Sequence, residues 1–83
     1  MYEIVFSDLS LKQLKQLDEL LQRRILTALE RCRFTPYHHV KKLVGNPYFR
    51  LRVGDYRIIM DIKQGQLMVL VLEIGHRRYI YDS

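Results

Sequence analysis

Arg50, Arg52 and Arg57 flank Gly54-Asp55 in a stretch where apolar and polar residues alternate. Read as two strands joined by a two-residue turn, this stretch sets Val53 opposite Tyr56 and Arg52 opposite Arg57. Residues two apart on a strand share a face, so Arg50 joins the arginine pair. Phe49, Leu51, Val53, Tyr56, Ile58 and Met60 then form the other face, the natural seat for helices. Like charges directly opposite one another on neighbouring strands are destabilising. A sheet selected for stability alone avoids them. A sheet that holds a phosphate uses them, because guanidinium groups give paired hydrogen bonds to phosphate oxygens and keep their charge.

Gly75-His76-Arg77-Arg78-Tyr79-Ile80-Tyr81 follows an apolar strand. If that strand pairs beside the one starting at Tyr56, the segment leaves the sheet at the same end as Arg57. Arg77 or Arg78 would then converge on the same face. Tyr48, Tyr56, Tyr79 and Tyr81 interleave with these cations, a combination that suits unstacked RNA bases and their backbone. The pattern alone leaves two readings open, a solvated basic face and an anion site. For the second, RNA is preferred to a small phosphate, because no glycine-rich phosphate loop precedes a helix. Lys41-Lys42 adjoins the first arginine strand and is either a solvated connector or an extension of the basic surface.

Other chemistries find less support. His38-His39 has no partner at metal-ligand spacing, and one cysteine cannot build a zinc site, so no metal and no cofactor are expected. Cys32 falls on an apolar helical stripe and reads as a core thiol. No serine sits in a nucleophile-elbow context.

The elements that must position the arginines follow from hydropathy period. Tyr2 to Phe6 reads as a first strand. Ser7 is a candidate N-cap and Ser10 with Gln13 has capping-box spacing, so a first helix begins between Ser7 and Ser10. Asp18 either caps a second helix or lies within one continuous helix. Leu21, Ile25, Ala28, Leu29 and Cys32 recur at helical spacing. Pro36 disfavours helical geometry at Thr35 and ends the run near Phe34. Residues 35–47 form a connector, after which the period becomes two. Strands are expected over Tyr48 to Val53, Tyr56 to Ile62 and Leu67 to Ile74, the last central and covered on both faces, with a short final strand at Tyr79 to Tyr81. The order β-α-α-β-β-β implies an α+β domain, a single antiparallel sheet of about four strands with two N-terminal helices packed on one face.

Eighty-three residues leave room for one domain only, here residues 1–83, and the balance of 14 basic against 9 acidic residues gives +5. No run approaches the roughly 20 apolar residues of a membrane span. Glu3 and Asp8 near the start, with no basic-then-apolar run, argue against a signal peptide. A single cysteine points to a reducing compartment, most simply the cytoplasm.

Lys42-Leu43-x-Gly45, Tyr48-x-Arg50-Leu51-Arg52-Val53-Gly54-Asp55-Tyr56-Arg57-Ile58-Ile59 and Gly75-His76-Arg77-Arg78-x-Ile80-Tyr81 together resemble the RelE/ParE toxin superfamily, and its RelE branch most closely. The resemblance spans nearly the whole chain. It implies the toxin of a type II toxin–antitoxin system: a ribosome-dependent endonuclease that cuts mRNA in the ribosomal A site and is restrained by a RelB-like antitoxin, in a hetero-oligomeric complex. Carried onto matching positions, the catalytic basic residues fall on Arg50, Arg57 and Arg77, and the C-terminal tyrosine on Tyr81. Lys42, Tyr48, Arg52 and Arg78 would extend the RNA contact. Tyr48 and Arg50 stand where the best-known RelE has two lysines. Cleavage by 2′-OH attack needs a proton acceptor, which arginine cannot be; His76 is the nearby group whose ordinary pKa lies near neutrality, and it is assigned that role. The resemblance also admits a ParE-like toxin that poisons DNA gyrase by binding, and a degenerate member that binds only its antitoxin.

Overall fold

The structure, a computed structural model, describes residues 1–78. Its order is β1 (Glu3–Phe6), α1 (Asp8–Lys15), α2 (Glu19–Cys32), β2 (Lys41–Lys42), β3 (Phe49–Val53), β4 (Tyr56–Lys63) and β5 (Met68–His76), with 3-10 turns at Pro36–His38 and Gln64–Gln66. The five strands form one sheet in the order β1-β5-β4-β3-β2.

Local chemistry explains the helices. Ser7 caps α1, its side chain accepting a hydrogen bond from the Ser10 amide at 3.0 Å. Asp18 caps a separate α2, accepting from the Leu21 amide at 2.8 Å. This settles the choice left open at Asp18: the helices are two. Helix α2 stops at Cys32, ahead of Pro36. Leu14 of α1 and Ile25, Leu29 and Cys32 of α2 pack on one sheet face against Leu51, Val53, Ile58, Met60, Val69 and Val71. The α+β architecture with both helices on one face is therefore as expected, and Cys32 is a buried core thiol. No helix among the described residues is long and apolar enough to cross a membrane.

The sheet differs from expectation in two ways. It has five strands, because Lys41–Lys42 pairs with Phe49 and Arg50 inside what reads as a connector. It is also mixed, since β1 runs parallel to β5. The helices carry the chain from β1 across to the far edge, and the β2-β3-β4-β5 meander then reverses three times before meeting β1 in the same direction. Two lysines flanked by irregular chain carry no alternation to read, so β2 was not visible. The expected strand at Tyr79 to Tyr81 lies outside the described residues.

Strand β5 sits between β1 and β4, but its alternation is interrupted. Ile59 pairs with Glu73 while Met60 pairs with Val71, so Leu72 is an extra residue, a β-bulge. Val69 and Val71 face the helices before it, and Ile74 does so after it. Helix α1 holds the distortion in place. Ser7 Oγ donates to the Leu72 carbonyl at 2.9 Å, Ser10 Oγ donates to the Val71 carbonyl at 2.8 Å, and the Ile74 amide donates to Gln13 Oε1 at 2.7 Å. Ser10 is wholly buried. Ser10 and Gln13 thus bond to the β5 backbone rather than forming the capping box their spacing suggests. Nor is β5 covered equally on both faces: Leu70 and Leu72 are half-buried, because the helices cover one side only.

Two outcomes follow. Gln13→Ala leaves the Ile74 amide without its acceptor and should lower stability by about 1–3 kcal/mol, with faster hydrogen exchange at that amide in particular. Burial pushes the Cys32 thiol from 9.0 up to about 11. The unfolded chain releases this proton first, so stability should fall as pH rises between those values, and Cys32→Ala should flatten that fall in urea titrations.

Candidate nucleic-acid interface

The face of the sheet turned away from the helices carries the cations. Arg52 pairs with Arg57, as the two-residue turn requires, and Gly54 makes that turn at φ +58°. Arg57 lies opposite Gly75 on its other side. The next row across the sheet runs Lys41, Arg50, Ile59, Glu73. Cross-strand partners share a face, so these two rows form one surface.

Arg77 follows β5. Its amide donates to the Asp55 carbonyl at 2.8 Å, which brings the residue back beside the β3–β4 turn. Its Nε lies 4.0 Å from Asp55 Oδ1, an exposed pair of little energetic weight. The Arg57 guanidinium is pushed below its ordinary pKa by burial and then by the charges of Arg50, Arg52 and Arg77. It stays protonated at physiological pH. The charges of three other guanidinium groups thus reach Arg57, near the β3–β4 turn. Beneath them Ile59 is 8% exposed and packs with Leu43 and Leu72, a small apolar floor separate from the main core.

The remaining residues named from sequence divide. Tyr48 precedes β3 in phase with Arg50; its amide donates to Asn46 Oδ1 at 2.9 Å and its carbonyl accepts from Leu43, closing the β2–β3 hairpin. Arg78 is exposed in the turn after β5, its amide donating to His76 Nδ1 at 3.2 Å. Lys42 pairs with Phe49 and sets its Nζ 5.9 Å from that ring, on the helix side of the sheet; Lys41 is the lysine that shares the arginine face. His76 also lies on the helix side. It pairs with Tyr56, meets that ring edge-on at 5.4 Å, and lines a cleft with Asp18, Leu21 and Arg24 of the helical layer. The bulge is the reason: an unbroken alternation from Val69 would have turned His76 toward Arg57. Tyr81 lies outside the described residues.

The sequence reading passed over Glu73 and weighed His38 and His39 only as metal ligands. Glu73 is carried onto the arginine face by the same bulge. His38 and His39 line a cavity of about 270 Å³ with Val40, Lys41, Arg50 and Arg52, so they adjoin the arginine strand. His39 Nε2 is 3.1 Å from Thr35 Oγ1. Among the described residues no group of three His, Cys, Asp or Glu side chains could hold a metal ion.

Comparison with known proteins adds an independent finding. The family model for the ParE toxin of type II toxin–antitoxin systems matches residues 4–81. Toxin RelE3 of Methanocaldococcus jannaschii is 28% identical over 86 residues, covering 96% of each chain. A chain in the crystal structure of the RelB-RelE antitoxin-toxin complex from Methanococcus jannaschii is similar with a TM-score of 0.74 and 28% identity, covering 94% of this chain and 95% of its own. A chain of the intact E. coli RelBE complex shares the fold with a TM-score of 0.81 at 20% identity, covering 92% of this chain and 96% of its own.

The electrostatics of the face can be checked without any ligand. Repulsion between Arg52 and Arg57 is screened by salt, so raising NaCl from low to moderate concentration should stabilise the protein. Arg52→Gln should be more stable than the wild type by about 0.5 kcal/mol at low salt, with the difference shrinking as salt rises. Equal salt dependence in the two proteins would show that the pair does not repel.

Proposed function

We propose, from the premise that this chain belongs to the ParE toxin family of type II toxin–antitoxin systems and to its RelE-like members, that it is a ribosome-dependent mRNA endonuclease. The observation that carries this reading is the cluster of Arg50, Arg52, Arg57 and Arg77 on the sheet face turned away from the helices. A surface that concentrates like charge at a cost in stability suits a ligand that neutralises it, and a phosphodiester does so through paired hydrogen bonds.

Cleavage proceeds by attack of the 2′-OH on the adjacent phosphorus, expelling the 5′ oxygen and leaving a 2′,3′-cyclic phosphate. Arg50 and Arg57 bind the non-bridging oxygens and stabilise the charge that builds on them. Arg77, beside the turn, neutralises the departing oxygen. Tyr48, Arg52 and Arg78 hold the flanking strand, and Lys41 takes the part assigned to Lys42 from sequence. A site made chiefly of permanent cations aligns weakly by itself, and the ribosome supplies mRNA already bent for in-line attack. The partner is an antitoxin with an acidic and apolar segment that orders on binding, in keeping with solved relatives described as RelB-RelE complexes.

One observation favours a second reading. The matching family model is described as the ParE toxin, and the resemblance to that branch implies poisoning of DNA gyrase by binding. The two readings separate in one pair of assays. Primer extension on an mRNA in a reconstituted translation reaction should show new 5′ ends inside A-site codons, reduced on the order of 100-fold by Arg77→Ala, with negligible cutting of naked RNA. No new ends, together with inhibited gyrase supercoiling, would move the protein to the second reading. Rapid cutting of naked RNA would overturn the dependence on the ribosome.

A further inference from the structure

With His76 turned to the helix side, the arginine face needs another group able to take a proton, and the bulge in β5 supplies one. Before the bulge, odd-numbered residues of β5 face the helices: Val69 and Val71 are fully buried there. Continued without interruption, this alternation would drive the Glu73 carboxylate into the core. The extra residue at Leu72 reverses the phase, so that Ile74 enters the core at 3% exposure and Glu73 joins the row of Lys41, Arg50 and Ile59. Bulges commonly re-aim a side chain beside a functional site. Here the cap residue Ser7 and the α1 residues Ser10 and Gln13 bond the backbone on either side of Glu73, so its place on the face is held by hydrogen bonds from the helical layer.

We propose that Glu73 is the proton acceptor for the attacking 2′-OH. The inference rests on the nuclease reading above. Glu73 stands diagonally across the β4–β5 pair from Arg57, a separation on the order of 7–8 Å. That gap admits a phosphate bound at Arg57 with the neighbouring 2′-OH directed toward the carboxylate. In the step, the 2′-O–H bond breaks and its proton passes to Glu73. The 2′ oxygen bonds to phosphorus, the bond from phosphorus to the 5′ oxygen breaks, and the departing oxygen takes a proton from water. Glu73 then returns its proton to solvent. Unlike a guanidinium, a carboxylate is unprotonated at neutral pH and can accept. The charged groups around it are Arg57 and Asp61 on β4, Arg50 on β3, Lys41 on β2 and Arg77 beyond the end of its own strand. Asp61 is engaged by Lys63 at 3.3 Å and Asp55 lies beside Arg77 in the β3–β4 turn, whereas Glu73 is the carboxylate in the same row as Arg50.

The test compares wild type, Glu73→Gln and Glu73→Asp in single-turnover cleavage of mRNA on programmed ribosomes across pH. Wild-type cleavage should rise with pH and then level off, as a step that passes a proton to a base requires. Glu73→Gln should cleave on the order of 100-fold more slowly and lose that rise, while binding ribosomes as tightly as the wild type. Glu73→Asp should keep the rise at a reduced rate, and it carries the test should the glutamine variant fail to fold. Wild-type rates in Glu73→Gln, or an unchanged pH rise in that variant, would overturn the assignment and leave the nuclease reading standing. Absence of cleavage by the wild type would overturn both.

Discussion

Three hydrogen bonds between α1 and the backbone of β5 determine what the opposite side of the sheet displays. Ser7 and Ser10 take the carbonyls of Leu72 and Val71, and Gln13 takes the amide of Ile74. A bulge leaves backbone groups off the regular ladder, and a buried group without a partner costs free energy comparable to a lost hydrogen bond. By meeting that need from the helical layer, α1 makes the irregular strand tolerable. The consequence is felt on the other face, where Glu73 emerges and from which His76 is withdrawn. The helix touches no part of the arginine surface, yet the composition of that surface depends on it.

The division between the two faces also explains how the chain accommodates a guanidinium, Arg57, under the charges of three others. The helix face holds a continuous apolar core from Leu14 to Ile74, whereas among the described residues the arginine face has a small apolar cluster, Leu43, Ile59 and Leu72, beneath it. Hydrophobic burial is non-directional and scales with area, so the first face supplies most of the stability. Charge repulsion is screened by salt, and it is borne by the second face.

Much of this was legible in the sequence. Gly54-Asp55 as a two-residue turn sets the register of β3 and β4, and with it the Arg52–Arg57 pair, without further information. Ser7 is a candidate cap for the first helix and Asp18 leaves one helix or two open, while the spacing from Leu21 to Cys32 marks a buried stripe. What remained hidden has a common cause. Strand β2 is two lysines long, so which lysine faces the arginines depends on pairing with β3 rather than on any local pattern. The bulge at Leu72 sits in a run apolar throughout, where a change of phase leaves no trace in hydropathy. His76 was therefore placed by extrapolation across a discontinuity, and Glu73 was passed over for the same reason. The parallel contact of β1 with β5 is likewise a product of the whole chain path.

The shortness of β2 has a bearing on self-association. It pairs only with Phe49 and Arg50, so among the described strands the remainder of β3 forms an open edge, beside a groove of about 410 Å³ lined by Arg23, Arg24 and Arg31 of α2 together with Arg52. Unpaired strand edges are templates for stacking one molecule on another, and charge placed along them is a common safeguard. A second copy approaching this edge would bring the same four arginines with it and meet its own sign. The charge density that sets Arg52 against Arg57 within the sheet thus also opposes growth of the sheet from chain to chain.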